Sequence, residues 1–335
     1  MLLLALAACI ENQIHTESDA AAAWPVDLDE PWTGPEMDLS FDIALQRNGW
    51  GQQVGRCQIQ LAFTNKGEDG WGAPEGPSPV QVVYPQNVGE CVYTDLEPEE
   101  QGDPGDGEPG GGSEGGDPMD QDENWNLAGV FEGNDVVWLH SGHRSIALDL
   151  VELESGGVRY EWSGCNDADF PFGEVFDLEV PASANPDGIQ GFYVEEAFGI
   201  GPDLMLLSPQ DQPGDGGKVF HWNQQALSAN WEHDVPPPAL EDLELERRVD
   251  VVYRNFTHDM RPVEAVVCLP ADDAFTTQAE ALQMMQANPD SFTQDFLLGF
   301  QVDAVYDSPP FKTPWGQSVR VRSVITEGGN VHLYE

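Results

Sequence analysis

The sequence predicts an all-β protein, and three observations carry that prediction. Short runs of apolar residues alternating with polar ones recur along most of the chain, the period of a strand with one buried face. Clusters of Gly, Pro, Asn and Asp punctuate those runs where turns need them. Only one stretch, Gln278 to Ala287, carries helix signals. A length of 335 residues leaves room for about two domains, and 40 % apolar residues with ten Trp and fifteen Phe can fill two cores. The expectation is two β-sandwich domains over 36–182 and 202–335, joined by a connector over 183–201.

The N-terminal set begins with Asp38 to Leu45, Cys57 to Phe63, Val80 to Tyr84 and Cys91 to Thr94. A tract over 97–124, EPEEQGDPGDGEPGGGSEGGDPMDQDEN, then interrupts the alternation. It has almost no apolar residue and cannot bury enough surface to repay its ordering entropy, so it reads as disordered. Pattern resumes with LAGVFEG, DVVWLH, SIALDLVEL and GVRYEW. Four strands are too few for a closed sandwich, which makes the tract an insertion within one β domain. A domain boundary near residue 110 is the alternative.

In the C-terminal set, DLMLLS, KVFHW, ALSANWEH, RVDVVYRN, EAVVCLP, FLLGFQVDAVY, SVRVRSVIT and VHLY read as short strands. Their number and spacing suit an immunoglobulin-like or fibronectin-like sandwich. Thr277 and Glu280 form a capping box for the one helix, Gln278 to Ala287, and Asn288-Pro289 stops it.

The first residues, MLLLALAACIENQ, supply an address. An apolar stretch followed by small residues is the form of a secretory signal, and Leu2 to Ala8 reaches the lower limit of its length. Leu6-Ala7-Ala8-Cys9 resembles the lipobox of bacterial lipoproteins. That resemblance implies a signal peptide ending before Cys9, with Cys9 lipidated as the first mature residue. Several acyl chains anchor firmly where one binds reversibly. No Lys or Arg precedes Arg47, so the charged start of such signals is missing and the reading expects an initiator upstream. Residues 10–35 are polar, Ala-rich and Pro-containing, as a flexible tether would be. Ile10 stands where an inner-membrane lipoprotein often carries Asp, and by resemblance this points to the outer membrane, on its periplasmic or surface face.

A second resemblance covers Pro202 to Glu335. The order of a Trp-bearing strand, VVYRN, VVCLPADDAFTTQAEAL and two closing strands is similar to the C-terminal β-sandwich of uncharacterised Gram-negative envelope lipoproteins. In that group the preceding segment commonly reads as FPFGEVFDLEVPAS does here, a strand leading into an interdomain connector. The resemblance implies fold and address and carries no catalytic motif.

The formal net charge is −47, from 60 acidic and 13 basic residues. Nucleic acid is excluded as a partner, because its binding depends on clustered Lys and Arg releasing counterions. The acid suits saline surroundings, a calcium-binding surface or a repulsive coat. Beyond the start, no segment approaches the ~18 apolar residues of a membrane helix.

Cys57, Cys91, Cys165 and Cys268 remain after Cys9, and four cysteines in an exported chain favour disulfides with three possible connectivities. The preferred pair is Cys57 with Cys91, because GRCQIQLAF and GECVYTDL both read as strands of one module. Cys165 with Cys268 would then join the modules. Two free buried cysteines are the alternative for that second pair.

Candidate chemistry is sparse. His140 and His143 in LHSGHRS have a metal-ligand spacing, but the first ends a strand and no carboxylate pattern accompanies them; an exposed hairpin is the simpler reading. Ser141 lacks the strand-to-helix elbow of a hydrolase nucleophile. Asp167 and Asp169 in Asn166-Asp167-Ala168-Asp169 are candidate calcium ligands, and calcium is the only cofactor the sequence suggests. Exposed aromatic rings can stack on sugar faces, and Trp71 and Trp315 sit in Gly/Pro loops suited to that role. Trp138, Trp162, Trp222 and Trp231 alternate with polar residues inside strands and read as core. The resulting expectation is a non-enzymatic, lipid-anchored protein that binds an envelope protein or a glycan. The alternative is a glycoside hydrolase using a carboxylate pair, which the sequence does not single out among its acids.

Overall fold

The structure is a computed structural model that describes residues 37–47, 56–65, 82–96, 127–152, 158–185, 188–208, 212–214, 217–222, 227–256, 262–277 and 297–333. It is all-β. The first strands are β1 (Met37–Arg47), β2 (Arg56–Asn65) and β3 (Cys91–Asp95), followed by a helical turn α1 (Leu127–Val130). Then come β4 (Val136–His140), β5 (Ser145–Glu152), β6 (Val158–Glu161), β7 (Val175–Val180) and β8 (Phe192–Gly199). The later strands are β9 (Leu204–Ser208), β10 (Gln212–Gly214), β11 (Gly217–Trp222) and β12 (Leu227–His233), with α2 (Pro238–Asp242) after them. The chain closes with β13 (Glu246–Phe256), β14 (Pro262–Cys268), β15 (Ala274–Thr277), β16 (Leu297–Asp307), β17 (Phe311–Lys312), β18 (Ser318–Val319) and β19 (Arg322–Leu333).

One large sheet runs through the molecule in the order β3-β14-β13-β16-β19-β1-β2-β6-β5-β4-β7-β8, and β11 joins it beside β19. β9, β12 and β15 form a separate sheet of three. Strand alternation explains the core. Met37, Leu39, Ile43 and Leu45 of β1, Ile59, Leu61 and Phe63 of β2, and Val251, Tyr253, Phe300 and Val302 of β13 and β16 all fall in one buried cluster. The sheet curls at its N-terminal end: Phe41 of β1 meets Phe198 of β8 at 5.3 Å between ring centroids, although five strands lie between them in the sheet order.

Several expectations are corrected by the strand pairing. Among the described residues one sheet runs through both expected domains, with β1 paired in parallel with β19, Ile43 opposite Ser323 through Arg47 opposite Glu327. β3 lies beside β14 in the C-terminal part, with Cys91 opposite Cys268. The expected connector 183–201 carries β8, which pairs with β7. LAGVFEG contributes the helical turn α1 in place of a strand. SVRVRSVIT and VHLY, two strands by their sequence pattern, are redistributed: Ser318–Val319 form the short β18, and RSVIT runs on through VHL in the single long β19. That continuity requires Gly328, since a Cβ there would lie 2.3 Å from the Phe300 carbonyl oxygen on β16. The helix expected at Gln278 to Ala287 and the acidic tract 97–124 lie outside the described residues.

The disulfides are two in number, but they exchange partners relative to expectation. Cys57 is bonded to Cys165 and Cys91 to Cys268, replacing the expected Cys57–Cys91 and Cys165–Cys268 pairs. The reason is register. Cys57 and Cys91 sit on strands in different parts of the sheet, whereas β14 brings Cys268 directly across from Cys91 with 4.0 Å between Cα atoms.

One cation gathers acids from three distant parts of the chain. Arg47 donates from Nη1 and Nη2 to the Asp203 carboxylate at 2.6 and 3.0 Å, and from Nε to Asp167 at 2.6 Å. Its Nη1 also lies 3.5 Å from Glu327 of β19, and its guanidinium stacks 4.9 Å from the Phe172 ring. A planar fork with this many donors is the task that suits Arg and not Lys.

Candidate functional site

The β4, β5, β7 and β8 strands each bury alternate residues, and what they leave outward forms the candidate site. Val137, Leu139, Ile146, Leu148, Phe176 and Leu178 are buried on the inner side. Trp138, His140, Ser145, Ala147, Asp177, Glu179 and Tyr193 therefore share the outer side, since successive side chains point to opposite faces. The register sets them in rows. Tyr193 is opposite Glu179, Glu179 opposite Trp138 and Trp138 opposite Ala147. A second row beside it holds Asp177, His140 and Ser145. Trp138 and Tyr193 are two strand spacings apart, ~10 Å.

Hydrogen bonds fix the polar members. His140 Nε2 lies 2.7 Å from the Glu179 carboxylate and Nδ1 lies 2.8 Å from Ser145 Oγ. A neutral imidazole makes both bonds by donating from Nε2 to the carboxylate and accepting the serine proton at Nδ1. The Trp138 and His140 rings are nearly parallel, 6.2 Å between centroids. The Tyr193 hydroxyl donates to Asp177, whose other oxygen accepts the Glu196 N–H at 2.8 Å. Burial first, and then that carboxylate, push the Tyr193 phenol well above its ordinary range and keep it a donor. Glu179 stays 43 % exposed at its side chain.

The hairpin at one end of this face contains the residues the sequence singled out. Both ring nitrogens of His140 are spent as described, and His143 is exposed in the turn, so the HxxH spacing is not assembled as a ligand pair. Ser141 is a turn residue: its Oγ accepts the His143 and Arg144 N–H groups at 3.2 and 3.1 Å and donates to Glu174. Arg144 completes the corner with an ion pair to buried Glu174 at 2.8 Å. Asp167 and Asp169 also have other partners. Arg47 takes the Asp167 carboxylate, and the Asn166 amide donates to Asp169 Oδ2 at 2.6 Å. Among the described residues no group of three His, Cys, Asp or Glu side chains could hold a metal ion.

The tryptophans exchange roles. Trp315, expected as a ligand platform, packs against Phe63 and Phe192 at 6.4 and 5.7 Å between centroids. Its loop is pinned to β1 by Gln317, which donates to the Leu39 carbonyl and accepts the Leu39 N–H. Trp138, expected in the core, is on the outer face, whereas Trp231 is buried as expected. Trp71 and Cys9 lie outside the described residues.

Two further polar sites escaped the sequence reading. Asp250 of β13 and Asp303 of β16 are directly opposed and only 1 % and 7 % exposed. Burial is the main cause that raises both carboxyls, and Asp250 reaches about 6. Arg248 pairs with Asp250 at 2.8 Å, while Gln301 and Thr326 donate to Asp303. The signal for this pair is an Asp set between apolar neighbours in each of RVDVVYRN and FQVDAVY. The second site is a pocket of about 240 Å³ lined by Pro202, His233, Leu240, Leu245, Arg247 and Tyr306. Tyr306 lies 3.0 Å from His233 Nδ1 and 3.4 Å from the Pro202 carbonyl. One hydroxyl proton serves only the carbonyl, so His233 must donate from Nδ1 for both bonds to form. Burial, then Arg247, lowers the His233 pKa and keeps the ring neutral.

No family model matches the chain, and no curated protein matches it.

Proposed function

We propose that this is an exported, acidic envelope protein, held at the outer membrane through lipid on Cys9, and that it binds glycan without turning it over. The observation that carries the binding reading is the outer row Tyr193-Glu179-Trp138-Ala147. Two aromatic platforms on one sheet face, with a carboxylate between them and a second polar row alongside, suit a sugar chain. Ring faces stack on the apolar faces of pyranose units, and carboxylates accept hydroxyl protons in charge-assisted hydrogen bonds. The bonds among His140, Ser145, Glu179, Asp177 and Tyr193 hold the face in one arrangement before binding, which lowers the ordering cost. The two disulfides support export, since such bonds persist in oxidising compartments.

The reading needs no metal at Asp167 or Asp169. It is tested by titrating the full chain with soluble fragments of envelope polysaccharides, with calcium and with chelator, while reducing ends are assayed. Saturable binding that is unchanged by chelator, with no new reducing ends, is expected. Release of reducing ends would replace this reading with a carbohydrate-active enzyme. The anchor is tested separately by mass spectrometry of protein from its native cells: diacylglyceryl-modified Cys9 is expected, and a bare thiol with Met1 attached would contradict it.

A further inference from the structure

The outer row has a charge as well as a shape, and the charge names a class of sugar. Glu179 sits between the two rings, Asp177 flanks it in the next row, and Asp149 stands opposite Val136 on the other side of Trp138. Glu195, beyond Tyr193 on β8, is exposed. The basic side chains described near this face are committed elsewhere: Arg159 lies 3.5 Å from Glu161, and Arg144 turns to Glu174. The chain as a whole carries a net charge of −47. A face of this sign repels uronic and sulfated glycans and attracts cations.

Resting on the glycan-binding reading above, we propose that this face selects β-linked glycans that carry free amino groups, as polymers of de-N-acetylated amino sugars do. In an extended twofold chain, alternate units present the same face, and Trp138 and Tyr193, ~10 Å apart across the strands, stack on two such units. The unit between them then brings its ammonium group to Glu179, which already accepts from His140 and remains open on its other side. Asp177 and Asp149 lie on either side of that path for the amines of neighbouring units.

The experiment compares three probes on the full chain at a pH where the amines are protonated: β-1,4-linked hexamers of glucosamine, N-acetylglucosamine and glucose. Hexalysine serves as a charge control. The glucosamine hexamer is expected to bind about tenfold tighter or more than either neutral hexamer at low salt, a gap that narrows as salt screens the carboxylates. Trp138→Ala and Tyr193→Ala are each expected to weaken all three sugars by about tenfold. Glu179→Gln, which keeps the side-chain volume, should abolish the preference for the amine, so that the glucosamine hexamer binds no tighter than the neutral ones. Equal binding of the three hexamers would overturn the amine selectivity and leave the glycan reading intact. Binding of none of them, with other envelope polysaccharides also silent, would overturn both. Hexalysine binding as tightly as the glucosamine hexamer, unaffected by Trp138→Ala, would show general charge attraction and overturn the proposal.

Discussion

The sheet carries acids on its non-core side in two places, and the two places have opposite fates. On β7, Asp177 and Glu179 alternate with buried Phe176, Leu178 and Val180 and remain partly open to solvent. On β13 and β16, Asp250 and Asp303 alternate with buried Val249, Val251, Val302 and Ala304, yet are themselves buried. The strand pattern is the same. What differs is the cover, because the 82–85 segment crosses the C-terminal face: Val83 donates to Thr94 of β3, and the Tyr84 ring lies 4.9 Å from the Arg248 guanidinium. Alternation therefore assigns residues to faces, whereas a remote segment decides which face a ligand can reach. The acid pair of β13 and β16 is closed off from solvent, and the acids of β7 stay partly exposed.

Removing the cation beneath the cover should have the largest effect. Arg248→Ala leaves Asp250 buried beside Asp303 and is expected to cost about 3–5 kcal/mol in urea unfolding, the range for breaking a buried pair, with a smaller loss at acid pH where Asp250 is protonated. A loss below about 1 kcal/mol, as for exposed pairs, would erase the contrast between the faces. Trp315→Ala comes next, since it empties space between Phe63 and Phe192, and should cost about 3 kcal/mol in the same measurement.

The buried pair also sets a pH dependence. The folded protein holds the Asp250 proton up to about pH 6, whereas the carboxyl ordinarily titrates at 3.8. The native state thus binds more protons in that window, and the stability associated with this group falls as pH rises from about 4 to about 6, then levels off. Asp250→Asn should flatten that slope and raise stability at pH 8 by on the order of 1–2 kcal/mol. The smallest effects belong to the outer face: His140→Ala should change stability by less than about 1 kcal/mol and Trp138→Ala by about 0.5 kcal/mol or less, although Trp138→Ala is expected to weaken glycan binding by about tenfold.

The elements of this fold are legible locally and their partners are not. DVVWLH and SIALDLVEL announce β4 and β5 by alternation and by the turn between them, and the structure pairs them as a hairpin. The parallel pairing of β1 with β19 joins residues about 280 positions apart and leaves no local trace, because parallel neighbours require a crossover and share no turn. The cysteines show the same limit. Cys57 and Cys91 look like members of one module by proximity, but β3 pairs with β14, and that choice reassigns both disulfides. For the site, VVWLH fixes that Trp138 and His140 share a side, and FDLEV fixes the same for Asp177 and Glu179. Neither says that the two pairs become neighbours, since β4 and β7 are separated in the chain by β5 and β6. Trp315 misleads for a related reason: a Gly/Pro loop is usually a surface feature, and here Gln317 draws it onto β1.

Glycan binding at the outer face requires Trp138 to be the indole that meets the sugar. Two-dimensional NMR of the tryptophan side-chain N–H groups, recorded on the full chain during titration with the glucosamine hexamer, reads this without relying on a variant. The Trp138 resonance is predicted to shift progressively and saturate while Trp315 and Trp231 stay still. A silent Trp138 with a shifting Trp315 would place the sugar elsewhere and rule out binding at this face.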